Sequence, residues 1–180
     1  MIITISGLAG SGTTTASKIL SKKLDVPYLS AGDIFRQMAA ERDMDVLEFS
    51  RFAEENENID ILLDKKQAEI AKQLSKQHDT VIVEGRLSAH FVEADLKVGF
   101  IAPIDVRTKR ICKREDKSYE VVKEEIISRS NSEAKRYHEI HGIDINDMEI
   151  YDLIINTGKF NAVSIADIIL KVVEVISCQQ

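Results

Sequence analysis

The sequence predicts an α/β domain built on a parallel sheet of five strands. Five short runs rich in Ile, Val and Leu recur along the 180 residues, and their largely apolar character suits strands covered on both faces. Segments with apolar residues at helical spacing separate these runs, an alternation typical of parallel sheets. The predicted strands are 2–6, 26–30, 80–84, 98–102 and 153–156.

The predicted helices lie between the strands and after the last one. They span 15–24, 31–42, 46–55, 60–76, 105–114, 119–140 and 164–176. No internal repeat, proline-rich linker or low-complexity tract divides the chain, so we expect a single domain over residues 1–180. Ligands bind at the carboxyl ends of parallel strands. The candidates for function are therefore the segments after each strand: the glycine loop, SAGDIFR, EGR, a basic helix and NTGKF.

Composition and charge narrow the classes of function. The net charge of −6 gives no general attraction to nucleic acid, so we expect no nucleic-acid partner. No apolar stretch is long enough to span a membrane, and the first residues, MIITIS, lack the features of a secretory leader. Cys112 and Cys178 match no metal-ligand or redox spacing, which predicts reduced thiols in a cytoplasmic protein.

A glycine-rich loop, GLAGSGTTT, follows the first predicted strand. Gly7 and Gly12 have the spacing of a phosphate-binding loop and Thr14 fills its hydroxyl position, but Thr13 stands where the motif has lysine. Backbone N–H groups and a helix N-terminus bind phosphate without any side chain, which favours a phosphate site over a simple tight turn. The predicted ATP-binding residues are Gly7, Leu8, Ala9, Gly10, Ser11, Gly12, Thr13, Thr14 and Thr15, with Thr14 as a Mg²⁺ ligand.

The segments after the second and third strands add charged candidates. In SAGDIFR, Ser30 or Asp33 would cap a helix and Arg36 would be solvated, or Arg36 would bind a second anion beside the phosphate loop. In VIVEGR, Glu84 either orients magnesium-bound water or forms a structural salt bridge. Arg86 has a bound phosphate as its obvious partner.

The predicted helix after the fourth strand carries three arginines on one stripe. Arg107, Arg110 and Arg114 are spaced i, i+3 and i+7. Such a stripe is usually a solvated face. Near a phosphate site it would instead supply positive charge to the transferred group.

The next predicted helix carries Arg129, Glu133 and Arg136 close to its apolar side. Charges that lean toward an apolar face are unlike a solvated helix, because burial of charge is costly without a partner. They predict a helix that closes over an anionic ligand as a lid. Arginines from such a lid would provide the charge that Thr13 does not.

With these motifs in view, the chain resembles the nucleoside monophosphate kinases, most specifically the archaeal-type cytidylate kinases. The resemblance is carried by GLAGSGTTT, SAGDIFR, LEFSRFAEENENID, EGRLSAHFVEADLKV, RTKRICKRE, EAKRYHEIHGID and YDLIINT. It implies a three-layer P-loop kinase fold with mobile monophosphate-binding helices over about 31–77 and a lid over about 107–140. It also implies a cytoplasmic monomer that uses ATP and Mg²⁺ to convert CMP, and dCMP, to CDP and dCDP.

The resemblance further implies roles for individual residues. The lid arginines Arg110, Arg114, Arg129 and Arg136 would be catalytic, and Glu84 would reach the metal through water. The CMP-binding set would be Ser30, Gly32, Asp33, Arg36, Lys66, Arg86, Ser88, Arg129, Glu133 and Arg136.

The sequence does not identify the residues that recognise the base. Bacterial cytidylate kinases place an acid directly after the arginine of the third-strand motif, where this chain has Leu87. Ser88 and Lys66 are the remaining candidates. The alternatives are a kinase of the same family with AMP or UMP as acceptor, and an ATP-binding regulator that transfers no phosphate.

Overall fold

The computed structural model, which describes residues 1–56 and 58–178, contains a parallel sheet of five strands. The strands are β1 Ile2–Gly7, β2 Tyr28–Ser30, β3 Val81–Glu84, β4 Leu96–Ile101 and β5 Leu153–Asn156. They lie in the order β2-β3-β1-β4-β5, and every neighbouring pair is parallel. Each strand overlaps one that the sequence predicts, so the α/β class is confirmed.

Helices connect the strands in the way the alternating pattern predicts. They are α1 Thr13–Leu24, α2 Ala31–Ala40, α3 Val46–Glu54, α4 Asn58–Leu74, α5 Ser88–Phe91, α6 Ile104–Glu115, α7 Tyr119–His141 and α8 Ala162–Ser177. The sequence interpretation missed α5, because a helix of four residues is too short to show an apolar period. No helix in the described ranges combines the length and the apolar character needed to cross a membrane.

The main core lies between the sheet and the pair α1 and α8. Ile3 and Ile5 of β1 are fully buried there, together with Leu20 of α1 and Ile169 of α8. Full burial of a side chain of this size contributes roughly 1.5–3 kcal/mol. The core therefore fixes the strands, and with them the positions of the residues at their carboxyl ends.

Strand order determines where a ligand can bind. The chain runs from β1 to β2 and β3 on one side, and later returns to β4 on the other side of β1. The carboxyl end of β1 therefore lies at the point where the order reverses, which is the usual crevice for ligands in open parallel sheets. The glycine-rich loop follows β1 at this crevice.

Two of the smaller apolar clusters outside the main core each belong to a group of helices. Helices α2, α3 and α4 share one that includes Ile34, Phe49 and Ile59, and α6 and α7 share another with Ile111 and Val122. Each helix group therefore has its own packing.

Candidate active site

The loop between β1 and α1 depends on two glycines with left-handed backbone conformation. Gly10 has a φ of 80° and Gly12 a φ of 97°, and such values are unfavourable for other residues. A Cβ atom at Gly10 would lie only 2.8 Å from the carbonyl oxygen of Arg107. The glycines therefore let α6 approach the loop closely.

Three arginine side chains donate hydrogen bonds to the carbonyl oxygens of this loop. The bonds run from Arg86 Nη1 to Gly7 O at 3.0 Å, from Arg107 Nη1 to Ala9 O at 3.3 Å, and from Arg110 Nη1 to Gly10 O at 3.2 Å and Ser11 O at 3.1 Å. In a trans peptide the N–H points away from the carbonyl. The arginines therefore hold the carbonyl side of the loop and surround it with positive charge.

Thr157, directly after β5, fixes the position of Arg110 on the loop. Its carbonyl accepts a hydrogen bond from Arg110 Nη2 at 2.7 Å, and its Oγ1 accepts one from Nη1 at 3.0 Å. The same hydroxyl donates to the Ser11 carbonyl at 2.7 Å, and the residue is fully buried. Sequence reasoning missed Thr157 and the loop contact of Arg107, although NTGKF was marked as a segment at a strand end.

Glu84, the last residue of β3, accepts hydrogen bonds from four hydroxyl groups on two elements, α1 and β2. Its Oε1 accepts from Thr13 Oγ1 of α1 at 2.7 Å and from Thr14 Oγ1 at 3.4 Å. Its Oε2 accepts from Tyr28 OH of β2 at 3.0 Å and Ser30 Oγ at 2.9 Å. Burial, with a further contribution from Glu84, raises the pKa of Tyr28, so its hydroxyl remains a donor. Thr13, which stands where the phosphate-loop motif has lysine, thus donates a hydrogen bond to the Glu84 carboxylate.

The contacts of Glu84 bear on its predicted role. Among the described residues Glu84 forms no ion pair, so the alternative of a structural salt bridge is not realised. The Thr14 hydroxyl and the Glu84 carboxylate are oxygen donors of the kind that Mg²⁺ prefers. The described residues contain no group of three or more acidic, His or Cys side chains that could hold a metal. This sparse set fits Mg²⁺, which relies largely on water and phosphate ligands.

The predicted lid stripe on α7 is turned inward at Glu133. This residue is 5% exposed, and its Oε1 accepts a hydrogen bond from Arg129 Nε at 2.8 Å. Arg86 Nη2 lies 2.9 Å from Oε2 of the same carboxylate. Glu133 therefore connects α7 to Arg86, which itself holds the start of the glycine loop.

Arg136, the last residue of the stripe, faces α4. Its Nε lies 3.0 Å from Asp60 Oδ2, and one turn further along both helices His141 Nε2 lies 3.4 Å from Asp64 Oδ2. Among the described residues, neither Arg136 Nε, Asp60 Oδ2 nor His141 Nε2 makes a hydrogen bond. The first contact is therefore an ion pair without hydrogen-bond alignment, and the second places an imidazole beside a carboxyl group. Sequence reasoning missed both acids.

Other predicted site residues contact neighbours at the edges of the site. Arg36 is 58% exposed and pairs with Asp33, and its guanidinium lies beside Gly32. On α6, Arg114 is 67% exposed and pairs with Glu115, not with the loop. The structure thus brings Arg110 to the loop but leaves Arg114 in solvent.

The two candidates for reading the base are engaged elsewhere. Lys66 Nζ lies 3.3 Å from Glu41 Oε1 at the end of α2. The Ser88 hydroxyl is buried and donates to Gln67 Oε1 at 2.9 Å, while Gln67 Nε2 donates to the Glu84 carbonyl at 3.0 Å. Neither side chain is free to meet a base in this arrangement.

Comparison with known proteins identifies the family. Residues 2–159 match the family model described as the cytidylate kinase-like family. The chain belongs to this family. Relatives named cytidylate kinase include that of Methanothermobacter thermautotrophicus, 60% identical over 162 residues that cover 90% of this chain and 98% of the relative. The cytidylate kinase of Methanosphaera stadtmanae is 57% identical over 174 residues, covering 97% and 98%.

Solved structures show the same fold at low identity. A shikimate kinase from Bacteroides thetaiotaomicron has a TM-score of 0.60 at 17% identity, covering 97% of this chain and 98% of its own. A shikimate kinase from Aquifex aeolicus has a TM-score of 0.58 at 16% identity over all of both chains. The predicted P-loop kinase fold of this family member is therefore confirmed.

Proposed function

We propose that this protein transfers the γ-phosphoryl group of ATP to CMP, giving ADP and CDP, and that it also accepts dCMP. Membership of the cytidylate kinase-like family and the names of its relatives support a nucleoside monophosphate kinase with this acceptor. The observation that carries the proposal is the glycine loop without lysine, held on its carbonyl side by three arginines. Nucleotide substrates and unpaired cysteines also suit a cytoplasmic location.

The loop arginines take over the electrostatic work of the lysine. Phosphoryl transfer needs positioning and positive charge more than covalent help from the protein. A unit charge about 6 Å from a phosphate oxygen contributes about 3 kcal/mol at an effective dielectric constant of 20. Arg86, Arg107 and Arg110 are close enough to the loop for such a contribution, because each is bonded to its backbone. The loop N–H groups and the α1 N-terminus would bind the ATP phosphates.

Thr14 and Glu84 would hold Mg²⁺, Glu84 through water. When bound, the ion would neutralise and align the phosphate oxygens. Within the protein, Glu84 keeps the hydroxyls of Thr13 and Thr14 oriented at the start of α1. Oriented hydroxyls at a fixed backbone position favour a reproducible geometry for the donor phosphates.

The acceptor would bind between the helices of residues 31–77 and the lid of residues 107–140. Arg36, Arg86, Arg129 and Arg136 would hold its phosphate, while Glu133 orients the guanidinium groups of Arg86 and Arg129. Each helix group packs in an apolar cluster of its own, which supports closure over both substrates. Closure would exclude the water that otherwise hydrolyses ATP.

A coupled assay of ADP formation from MgATP tests the proposal, with CMP, dCMP, UMP, AMP and GMP supplied separately. We expect CMP to give the highest kcat/KM and dCMP to follow. Highest activity with AMP or UMP would support a nucleoside monophosphate kinase but contradict CMP as its acceptor. Measurable ATP binding without turnover on any acceptor would favour the regulator.

A further inference from the structure

Asp60 and Asp64 lie one turn apart on the face of α4 that meets α7. Their exposures are 7% and 9%, an unusual degree of burial for aspartate. Gln67, one turn further along the same face, bonds the carbonyl of Glu84 at the carboxyl edge of the sheet. The acid pair therefore extends outward from that edge along the proposed acceptor site.

Asp64 lacks an adequate partner within the described residues. The nearest cation is His141 at 3.4 Å, and no hydrogen bond reaches the Asp64 carboxylate. Burial lowers the pKa of His141, so this ring offers little lasting charge. Burial, and then the charge of Asp60, raises the pKa of Asp64 to about 7. The groups that face this acid are Asp60 on its own helix, and His141 and, beyond Asp60, Arg136 on α7.

A buried acceptor without a donor is unfavourable unless a ligand supplies the donor. We propose that the Asp64 carboxylate accepts a hydrogen bond from the exocyclic amino group of the acceptor base and thereby selects cytosine over uracil. The inference rests on the proposed function, in which CMP is the acceptor. It assigns an acceptor for the amino group, a role that the ammonium group of Lys66 cannot fill because it only donates, and for which the Ser88 hydroxyl is already engaged with Gln67.

The chemistry of the two bases supports this assignment. Cytosine carries an amino donor at the position where uracil carries a carbonyl oxygen, and a carboxylate accepts from the former. Above pH 7, where Asp64 is mostly ionised, its carboxylate and the uracil carbonyl would be two acceptors facing each other in a buried site. Sites that use a buried hydrogen-bonding group discriminate strongly, because the wrong substrate leaves that group unpaired.

The base reaches Asp64 only when α7 moves away from α4. The contacts that must open are the ion pair of Asp60 with Arg136 and the contact of Asp64 with the His141 imidazole. The nitrogen atoms of both pairs make no hydrogen bond, so opening sacrifices no aligned bond. Asp60 would keep Arg136 close to the site until the acceptor phosphate replaces it.

The experiment measures kcat/KM for CMP and for UMP in the wild type, in Asp64→Asn and in the control Glu69→Gln. Glu69 is exposed on the same helix. An amide keeps the shape of the carboxylate but presents N–H to the uracil carbonyl. We expect UMP to improve at least tenfold in Asp64→Asn and the CMP to UMP ratio to fall at least tenfold. The control should leave both values unchanged.

A second variant guards against a folding defect. Asp64→Ala should lower kcat/KM for CMP without lowering the value for UMP, because it removes the acceptor that would face the uracil carbonyl. Equal losses for both acceptors in both variants, with an unchanged ratio, would mean that Asp64 only ties α4 to α7 and would overturn this inference alone. A wild type that does not phosphorylate CMP would overturn the proposed function as well.

Discussion

On the loop side of the site, arginine guanidinium groups are hydrogen-bonded to backbone carbonyls, whereas between α4 and α7 an arginine and a histidine face carboxylates without hydrogen bonds. Arg110 alone makes four hydrogen bonds, three to backbone carbonyls and one to the Thr157 hydroxyl. Among the described residues Asp64 accepts no hydrogen bond, and its nearest basic group is an imidazole 3.4 Å away. Several hydrogen bonds thus hold the loop before any ligand binds, although Ser11 Oγ and Arg107 Nε find no partner among the described residues.

This difference separates two ways of preparing a site. A loop already held by arginine hydrogen bonds needs little reorganisation when phosphate arrives, which is how preorganised electrostatics lowers a barrier. The α4–α7 side keeps buried groups in an unfavourable state that a ligand can relieve, which suits a part that moves. Substitutions on the two sides should therefore differ in their effects on activity and stability.

Arg86→Ala should have the largest effect, because Arg86 joins the two sides through Gly7 and Glu133. Its loss removes a phosphate partner and leaves the buried Glu133 with Arg129 as its remaining paired cation. We expect turnover with CMP to fall about 10³-fold. Breaking a buried ion pair should also cost about 3–5 kcal/mol of stability, measured by chemical denaturation. Arg86→Lys is the matched variant; full activity in it would show that charge alone suffices without the guanidinium fork.

Thr157→Val should affect only the donor side. The change removes the hydroxyl that accepts from Arg110 and donates to Ser11. A hydrogen bond to a charged group contributes about 1.5 kcal/mol, so we expect kcat/KM for ATP to fall about tenfold. The KM for CMP should not change. A variant that lost affinity for CMP instead would show that the two sides are not separate.

Asp64→Asn should change how the stability of the acceptor side depends on pH. The pKa of Asp64 is raised from 3.8 to about 7 in the folded protein, so the folded state binds this proton more tightly than the unfolded state does. The contribution of Asp64 to stability is therefore present below pH 4 and is lost as the pH rises to about 7. We expect the variant to gain on the wild type by roughly 2–4 kcal/mol between pH 4 and pH 8.

Thermal unfolding at several pH values measures this difference. Asp60 and His141 lie next to Asp64 and titrate together with it, so the measured difference belongs to this cluster of three groups. A variant that is less stable than the wild type at pH 8 would indicate that the acid is a stabilising partner of α7.

Thr13→Lys should have the smallest effect. The new ammonium group would lie beside Glu84, whose Oε1 accepts a hydrogen bond from the Thr13 hydroxyl. The loop is also already surrounded by arginines. We expect turnover to change by less than tenfold, or about 1.4 kcal/mol. A steady-state assay with MgATP and CMP measures it, and a gain far above tenfold would show that charge at the loop is limiting.

Local patterns in the sequence predicted the sheet and the loop, because apolar runs and glycine spacing are properties of neighbouring residues. They also placed Glu133 close to the apolar side of its helix, where it is buried, whereas Arg129 of the same stripe is exposed. They did not predict which distant groups meet: Arg107 and Thr157 reach the loop only after the chain has folded. The acids of α4 were missed because aspartates at helical spacing usually mark a solvated face, and only the position of α7 shows their burial.

The most direct test of the account is turnover of MgATP and CMP by Arg110→Ala, compared with Lys109→Ala, which alters an exposed residue of the same helix. If Arg110 supplies charge that the loop lacks at Thr13, its loss should lower kcat at least about 100-fold with little change in the melting temperature. Lys109→Ala should keep the wild-type rate. An Arg110→Ala enzyme that turns over as fast as this control would contradict the claim that arginine replaces the lysine of the loop.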